Sequence, residues 1–295
     1  MALLEREGWP TSSLAPPAPA RAPRRRANLP LLVGAALVAC IAVSAALAPW
    51  LAPRDPTAID PAARLLPPGP GHPLGTDRLG RDVLSRILYG GRVAVVVGAV
   101  AVAIGAGAGV TLGLVSGYRA GWLDALLMRA IDGLMAFPAL LLAILVVASL
   151  GPGHVQAMTA IGIVLIPVFA RLARAQALAA RAQEFVLAAR AVGARDLRII
   201  AVHILPNIAG PLLIQATVAF SGAVLAEASL SYLGLGTQPP TPSWGGMLQE
   251  ARDVLFVGAW MAVWPGLAIA AAVLGWNLLG DGLRDLLDPR LRRGV

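Results

Sequence analysis

Lysine is absent from the 295 residues, and all 24 basic side chains are arginine. A Walker A loop needs its lysine to reach the β- and γ-phosphates, so a nucleotide site of that kind is excluded, and any ATP that drives this protein must be bound by another chain. Cysteine is nearly absent as well: Cys40 stands alone inside an apolar run, which rules out an internal disulfide. The three histidines, His72, His154 and His203, are scattered without ligand spacing, so no metal centre and no cofactor are expected. Signatures of an activated serine or cysteine nucleophile are missing too, which argues against an enzyme.

Charge is also scarce. Only 14% of residues are charged, against 57% hydrophobic ones, and the mean hydropathy of +0.72 belongs to chains whose solvent is a bilayer. Apolar runs of about twenty residues recur, each long enough to cross the hydrocarbon core. The expected fold is all-α: a polytopic membrane protein with six transmembrane helices, in contact with lipid. A formal charge of +8 raises the question of nucleic acid, but arginines spread between hydrophobic spans set orientation instead, and no nucleic-acid partner is expected.

Residues 1–29, with "APPAPARAPRRRANLP", are too rich in Pro, Ala and Arg to bury a core and read as a disordered basic tail. The first span falls within 30–54; its run at 31–52 is long enough to be an uncleaved helix rather than a signal peptide. Residues 55–92 form a polar loop. At its end Val83, Leu84, Ile87 and Leu88 recur at helical spacing opposite Asp82, Ser85 and Arg86, the pattern of a short amphipathic helix lying at the interface, with a solvated loop as the equal alternative. A five-helix core occupies 93–290, with spans expected at 93–117, 124–150, 155–175, 204–228 and 255–280, and a short tail at 291–295.

Within the second span, Gly105, Gly109, Gly113 and Gly117 recur every fourth residue on one helix face, three overlapping G-x-x-x-G units that admit a neighbouring backbone. In the third span Asp124, Arg129 and Asp132 crowd the first turns, and Arg129 and Asp132 are spaced to pair. Asp132 is a candidate pathway residue, although pairing and snorkelling make charges near a helix end tolerable. Glu227, near the end of span five, is a second candidate, best read as a carboxylate held by its neighbours. Residues 229–254, with Pro239, Pro240, Pro242 and Trp244, are too irregular to cross lipid and form either a candidate surface for an extracytoplasmic protein or a structural cap.

Arginine counts orient the chain. Five lie in the N-terminal tail, two near the 118–123 turn, six in 171–198 and four in 284–293, whereas seven lie on the other side. The positive-inside rule therefore puts both termini and the segment 178–205 in the cytoplasm. That segment, including "EFVLAARAVGARDLRIIAVHILPN" at 184–207, reads as two helices broken at Gly193, with Pro206 near the start of span five. Phe185, Ala188, Ala189 and Val192 share one face of the first helix. An apolar stripe that no membrane covers must be buried against something.

"LAARAVGARDLRIIAVHILP" resembles the cytoplasmic signature loop of ABC-importer permeases. Ala188, Ala189, Gly193, Leu205 and Pro206 fall on that pattern; Leu187 stands at its glutamate position and His203 at its isoleucine, with Glu184 one turn earlier. "HPLGTDRLGRDVLSRILYGGR" at 72–92, "EASLSYLGLGTQPPTPSWGGML" at 227–248 and "NLLGDGLRDLLDPR" at 277–290 resemble the C-type permease subunit of dipeptide, oligopeptide and nickel importers. The resemblance implies a subunit in the cell inner membrane that pairs with a paralogous B-type permease, two ABC ATPase subunits and an extracytoplasmic solute-binding protein. It also implies that the loop carrying Glu184, Phe185, Ala188, Ala189, Arg190, Val192, Gly193, Asp196, Leu205 and Pro206 couples to the ATPase. An ion-coupled carrier or channel is the rival class; the inverted repeats or mid-membrane charges usual for it are not evident.

Overall fold

The computed structural model describes residues 28–287, which are helical with no strand among them. The tails expected at 1–29 and 291–295 lie outside these residues, apart from Asn28 and Leu29. Asn28 caps α1 (Leu29–Ala46), its side-chain oxygen accepting from Leu31 N, and its amide donates to Gly282 O at 2.8 Å. That bond fixes the first described helix against the last.

The longest element, α3 (Val83–Arg119), is one helix of 37 residues. At about 1.5 Å per residue it reaches roughly 55 Å, well beyond the hydrocarbon thickness. It absorbs the segment expected to form a separate interfacial helix. Asp82 caps it, accepting from Ser85 N at 2.8 Å, and no proline follows to interrupt it. The polar side of that first turn is not in water either: Ser85 and Arg86 are buried under the preceding loop and α10 (Trp244–Arg252).

Against α3 lies α6 (His154–Arg181), packed backbone to backbone along the glycine ladder. A Cβ on Gly109 would meet Ile166 O at 2.5 Å, one on Gly113 Ala170 O at 2.3 Å, and one on Gly117 Arg174 O at 2.6 Å. Gly105 faces Leu165 and Gly162 in the same row. In lipid, where burial against water no longer drives helices together, such close van der Waals contact is what remains.

The segment expected as one span at 124–150 is two helices, α4 (Gly121–Met135) and α5 (Ala139–Leu150), bent by 89°. Pro138 causes the break: it lacks an N–H and disfavours helical geometry at Phe137 before it. Among the described residues five helices are long and apolar enough to span, and the bent pair makes six if counted as one.

After α6 come the short α7 (Glu184–Ala191) and α8 (Asp196–Arg198), a π-helical stretch at Ile199–Ile204, then α9 (Leu205–Tyr232). α11 (Trp260–Leu287) starts later than the expected 255 because residues 253–259 form turns. Tyr118, at the end of α3, touches Asp196, so the α3–α4 turn and the 182–204 segment share one end of the bundle, here the protrusion end. α10 and the loop 53–82 form the opposite, cap end, where α2 (Ala48–Leu51) also lies against α3.

Gly113→Ala should lower the thermal unfolding midpoint in detergent, by an overpacking cost of about 1–3 kcal/mol. Gly107, whose added Cβ meets nothing within 4 Å, should tolerate alanine without loss. Equal midpoints for the two variants would remove the ladder as the packing element.

Candidate functional site

The protrusion is built from a short amphipathic helix and a glycine stop. α7 begins after Gln183 and ends at Gly193, whose φ of +80° is easy for glycine and costly for other residues. There Gly193 N bonds Arg190 O at 2.9 Å and Ala194 N bonds Ala189 O at 3.0 Å, closing the helix end. Val186 and Ala189 face inward, packing with Ile199, Ile204, Ala177 and Ala180. A backbone reversal of this kind is held by its apolar underside.

This changes the stripe read from the sequence. Of its four members, Ala189 is buried and Phe185 half-buried against the protein's own core, whereas Ala188 and Val192 point outward. The phase is set by Val186, which the periodicity argument left out. The outward row is Leu187, Ala188 and Val192, joined by Leu197 from α8; the three larger side chains are 52%, 84% and 78% exposed. Leu197 was missed because it sits between charged residues in "ARDLRII", yet an isolated leucine between two arginines one turn past the glycine stop is itself a signal.

Polar contacts lock the protrusion to the end of α3. The Tyr118 hydroxyl donates to Asp196 Oδ1 at 2.9 Å and accepts from Arg190 Nε at 3.3 Å, while the Arg190 guanidinium lies 5.0 Å over the Tyr118 ring. Arg181 donates to Tyr118 O. Arg119 and Asp196 approach only to 3.8 Å and are both exposed, so this pair adds little. Beyond the glycine stop the chain runs through α8 and the π-helical stretch directly into α9, with Leu205 N bonding Ile200 O. Glu184 is exposed, as are Leu205 and Pro206 where α9 begins.

The carboxylates of α4 find partners on α6 rather than on their own helix. Asp124 accepts two bonds from Arg174, 2.6 and 2.7 Å, and one from the Ser116 hydroxyl. Asp132 pairs with Arg171 at 2.7 Å and not with Arg129, because α6 runs close enough beside α4 to offer a better donor geometry.

Glu227 and Trp244 turn out to be internal. Glu227 is buried and accepts from Ser231 at 2.7 Å and Thr237 at 3.2 Å, tying the irregular segment after α9 back onto that helix. Trp244 is buried too, its indole N–H bonding Ile87 O at 3.0 Å and its ring lying on Gly90 and Gly91. Neither side chain offers a surface to a pathway or another protein. At the cap, Arg81 and Arg86 are buried between Asp77 and Glu250: Arg81 reaches both carboxylates at 2.6 Å, Arg86 reaches Glu250 at 2.7 and 3.0 Å, and Arg86 also contacts Asp77. His72 and Asp82 pair beside them at 3.0 Å.

Spanning helices, a fixed cap at one end and an apolar-tipped projection at the other describe a multi-pass membrane protein. Residues 109–293 match the family of binding-protein-dependent transport system inner membrane components, and residues 24–68 match the N-terminal TM domain of oligopeptide transport permease C. The chain belongs to the binding-protein-dependent transport system inner membrane component family, and so is a non-catalytic, multi-pass component of the inner membrane. It is 43% identical over 272 residues to the dipeptide transport system permease protein DppC of Haemophilus influenzae, covering 90% of this chain and 92% of that one. It is 44% identical over 274 residues to the di/tripeptide transport system permease protein DppC of Pseudomonas aeruginosa, covering 91% and 90%. A chain of the MetNI methionine ABC transporter in an inward-facing conformation shares the fold, with a TM-score of 0.56 and 16% identity over 69% of this chain and 97% of that one.

Tyr118→Phe should free α7 from α3 at a cost of about 1 kcal/mol. Hydrogen exchange should then rise in 184–198 and stay unchanged along the α3–α6 contact; unchanged exchange in the protrusion would show that the hydroxyl does not hold it. Glu250→Ala should cost more, about 3–5 kcal/mol, because it strips a partner from two buried arginines. Its unfolding midpoint, set beside that of Tyr118→Phe, checks the order.

Proposed function

We propose that this chain is one of two permease subunits of an ATP-driven importer of short peptides, and that its protrusion is the part gripped by the ATPase. The observation that carries the reading is the outward row of Leu187, Val192 and Leu197 on a projection whose underside is fixed to the bundle. A solvated connection has no use for three large exposed apolar side chains on a rigid mount, whereas a socket on another protein does.

The proposed partners are a paralogous B-type permease, two ABC ATPase subunits and an extracytoplasmic solute-binding protein. Peptide is the favoured cargo because relatives covering nine-tenths of the chain are named as dipeptide and di/tripeptide permeases. In this reading the protrusion and both termini face the cytoplasm, in line with the arginine bias, and the cap faces outward. Closure of the ATPase pair on ATP displaces the protrusion. Since α8 is continuous with α9, and α7 is bonded to α3, the displacement passes into two spanning helices instead of being absorbed in a loop. The spans then turn from inward-open to outward-open, the solute-binding protein delivers peptide at the cap end, and ATP hydrolysis resets the pair.

Gly193→Val tests the grip. An added Cβ meets nothing within 4 Å, so the substitution costs only the left-handed backbone, about 1–2 kcal/mol. The variant should insert normally but co-purify with less ATPase and lose peptide-stimulated ATP hydrolysis. Leu197→Glu, which leaves the backbone alone, should do the same. If both variants assembled and transported like the unaltered chain, the protrusion would not be the coupling element. Uptake by the reconstituted complex that ignored ATP but followed an ion gradient would discard the pump itself.

A further inference from the structure

Two unrelated features meet on the face of α4 and α6. The first is the ion pair Asp132–Arg171, 2.7 Å apart, with the two side chains 50% and 52% exposed. Arg171 is 17 residues past His154, about 26 Å along α6 from its cap-side start and so close to the protrusion end of that span. A paired carboxylate and guanidinium there, both half-exposed, stand where water or another protein reaches them. The second is the break at 136–138, whose residues are all exposed while the backbone leaves the helical ladder. Open backbone at membrane depth is sustained only where protein covers it or water fills a cavity beside it. Of α4, only Ile131 is buried against the rest of the described chain, so no described residue supplies the cover.

We infer that Asp132 and Arg171 form a peptide-contacting station on the translocation pathway, taking the ammonium and carboxylate ends of a zwitterionic short peptide in exchange for each other. The inference rests on the peptide-importer reading and adds a substrate site to it. A carboxylate and a guanidinium side by side are complementary to the two termini, each able to make a charge-assisted hydrogen bond. Their mutual pair keeps both groups satisfied when no cargo is present, so the empty pathway carries no bare charge. Half-exposure leaves each group a free side toward the cargo. The break at Pro138, one turn beyond Asp132, leaves freed backbone groups beside the pair to hydrogen-bond the peptide unit between the termini. Pathway contact of this kind selects for free ends and leaves side chains unread, which suits cargo defined by length instead of sequence.

The test uses the full complex in inside-out vesicles, with the permease carrying Cys40→Ser and a reporter Gly133→Cys, where an added Cβ meets nothing within 4 Å; Ala136→Cys, at the break, is the second reporter. Labelling by a membrane-impermeant maleimide is followed with dialanine, with N-acetyl-dialanine amide, or with neither. The inference expects labelling in the nucleotide-free state, slowed about tenfold by dialanine and not by the blocked peptide, and loss of that protection in Arg171→Gln and in Asp132→Asn while labelling persists. No labelling at either reporter would overturn it by showing a dry face. Equal protection by the blocked peptide, or protection that survives both substitutions, would overturn it by showing that the termini are not what is held. Dialanine uptake by the unaltered complex is measured in parallel; its absence would count against the peptide-importer reading, while the labelling still decides whether this face is aqueous and whether it holds the peptide's ends.

Discussion

The approach of α6 to the bare backbone of α3 is the constraint from which the remaining geometry follows. Side chains on the ladder would hold the helices apart, and a membrane offers no hydrophobic pressure to recover the lost contact. With Gly109, Gly113 and Gly117 opposite Ile166, Ala170 and Arg174, the two axes are fixed close together over the length of the ladder. This sets where Arg174 and Ser116 together meet Asp124, and so where α4 must lie. It also sets where Tyr118, one residue past the last ladder glycine, stands to receive Arg190 and Asp196.

The two ends of the bundle solve opposite problems with different chemistry. At the cap, arginines 81 and 86 are sunk among carboxylates, and the loop 53–82 is further pinned by Trp260 donating to Thr76 O and by Thr76 donating to Ala63 O. Such a buried ionic arrangement fixes geometry more than it adds stability, since desolvation consumes most of the Coulomb gain. At the protrusion the fixing is apolar on the inside and aromatic at the edge, and the large apolar side chains are left facing out. One end is closed by its own chain; the other leaves Leu187, Val192 and Leu197 uncovered.

The helical spans, the glycine ladder and the break at Gly193 could be read from the sequence, because each depends on local pattern: run length, a four-residue repeat, and a single residue free to adopt positive φ. The parts that resisted reading depend on partners far away in the chain. Ser85 and Arg86 look like the wet side of an interfacial helix until Asp77 and Glu250 are brought beside them. Asp132 has a plausible partner in Arg129 one turn away, and only the proximity of α6 selects Arg171. The outward row on the protrusion was misplaced for the same reason: the phase of α7 is decided by what Val186 packs under, a contact with Ile199 and the α6 end that no window of eight residues contains. Trp244 and Glu227 carry no local mark of burial at all.

The knot at the cap also has a history in time. Arg81 and Arg86 precede Glu250 by 169 and 164 residues, so at about 5–20 residues per second the ribosome takes roughly 10–30 s to supply the carboxylate after the arginines have emerged. During that interval α3 is already in the bilayer with Asp77 as the near carboxylate for the two arginines, and the loop is held through contacts with the start of α3 such as His72–Asp82 and Arg54 N to Ser85 Oγ. The nascent chain therefore completes its cap last, when α10 arrives between α9 and α11, and a ribosome stalled before residue 250 leaves a bundle whose lid has hinges but no catch.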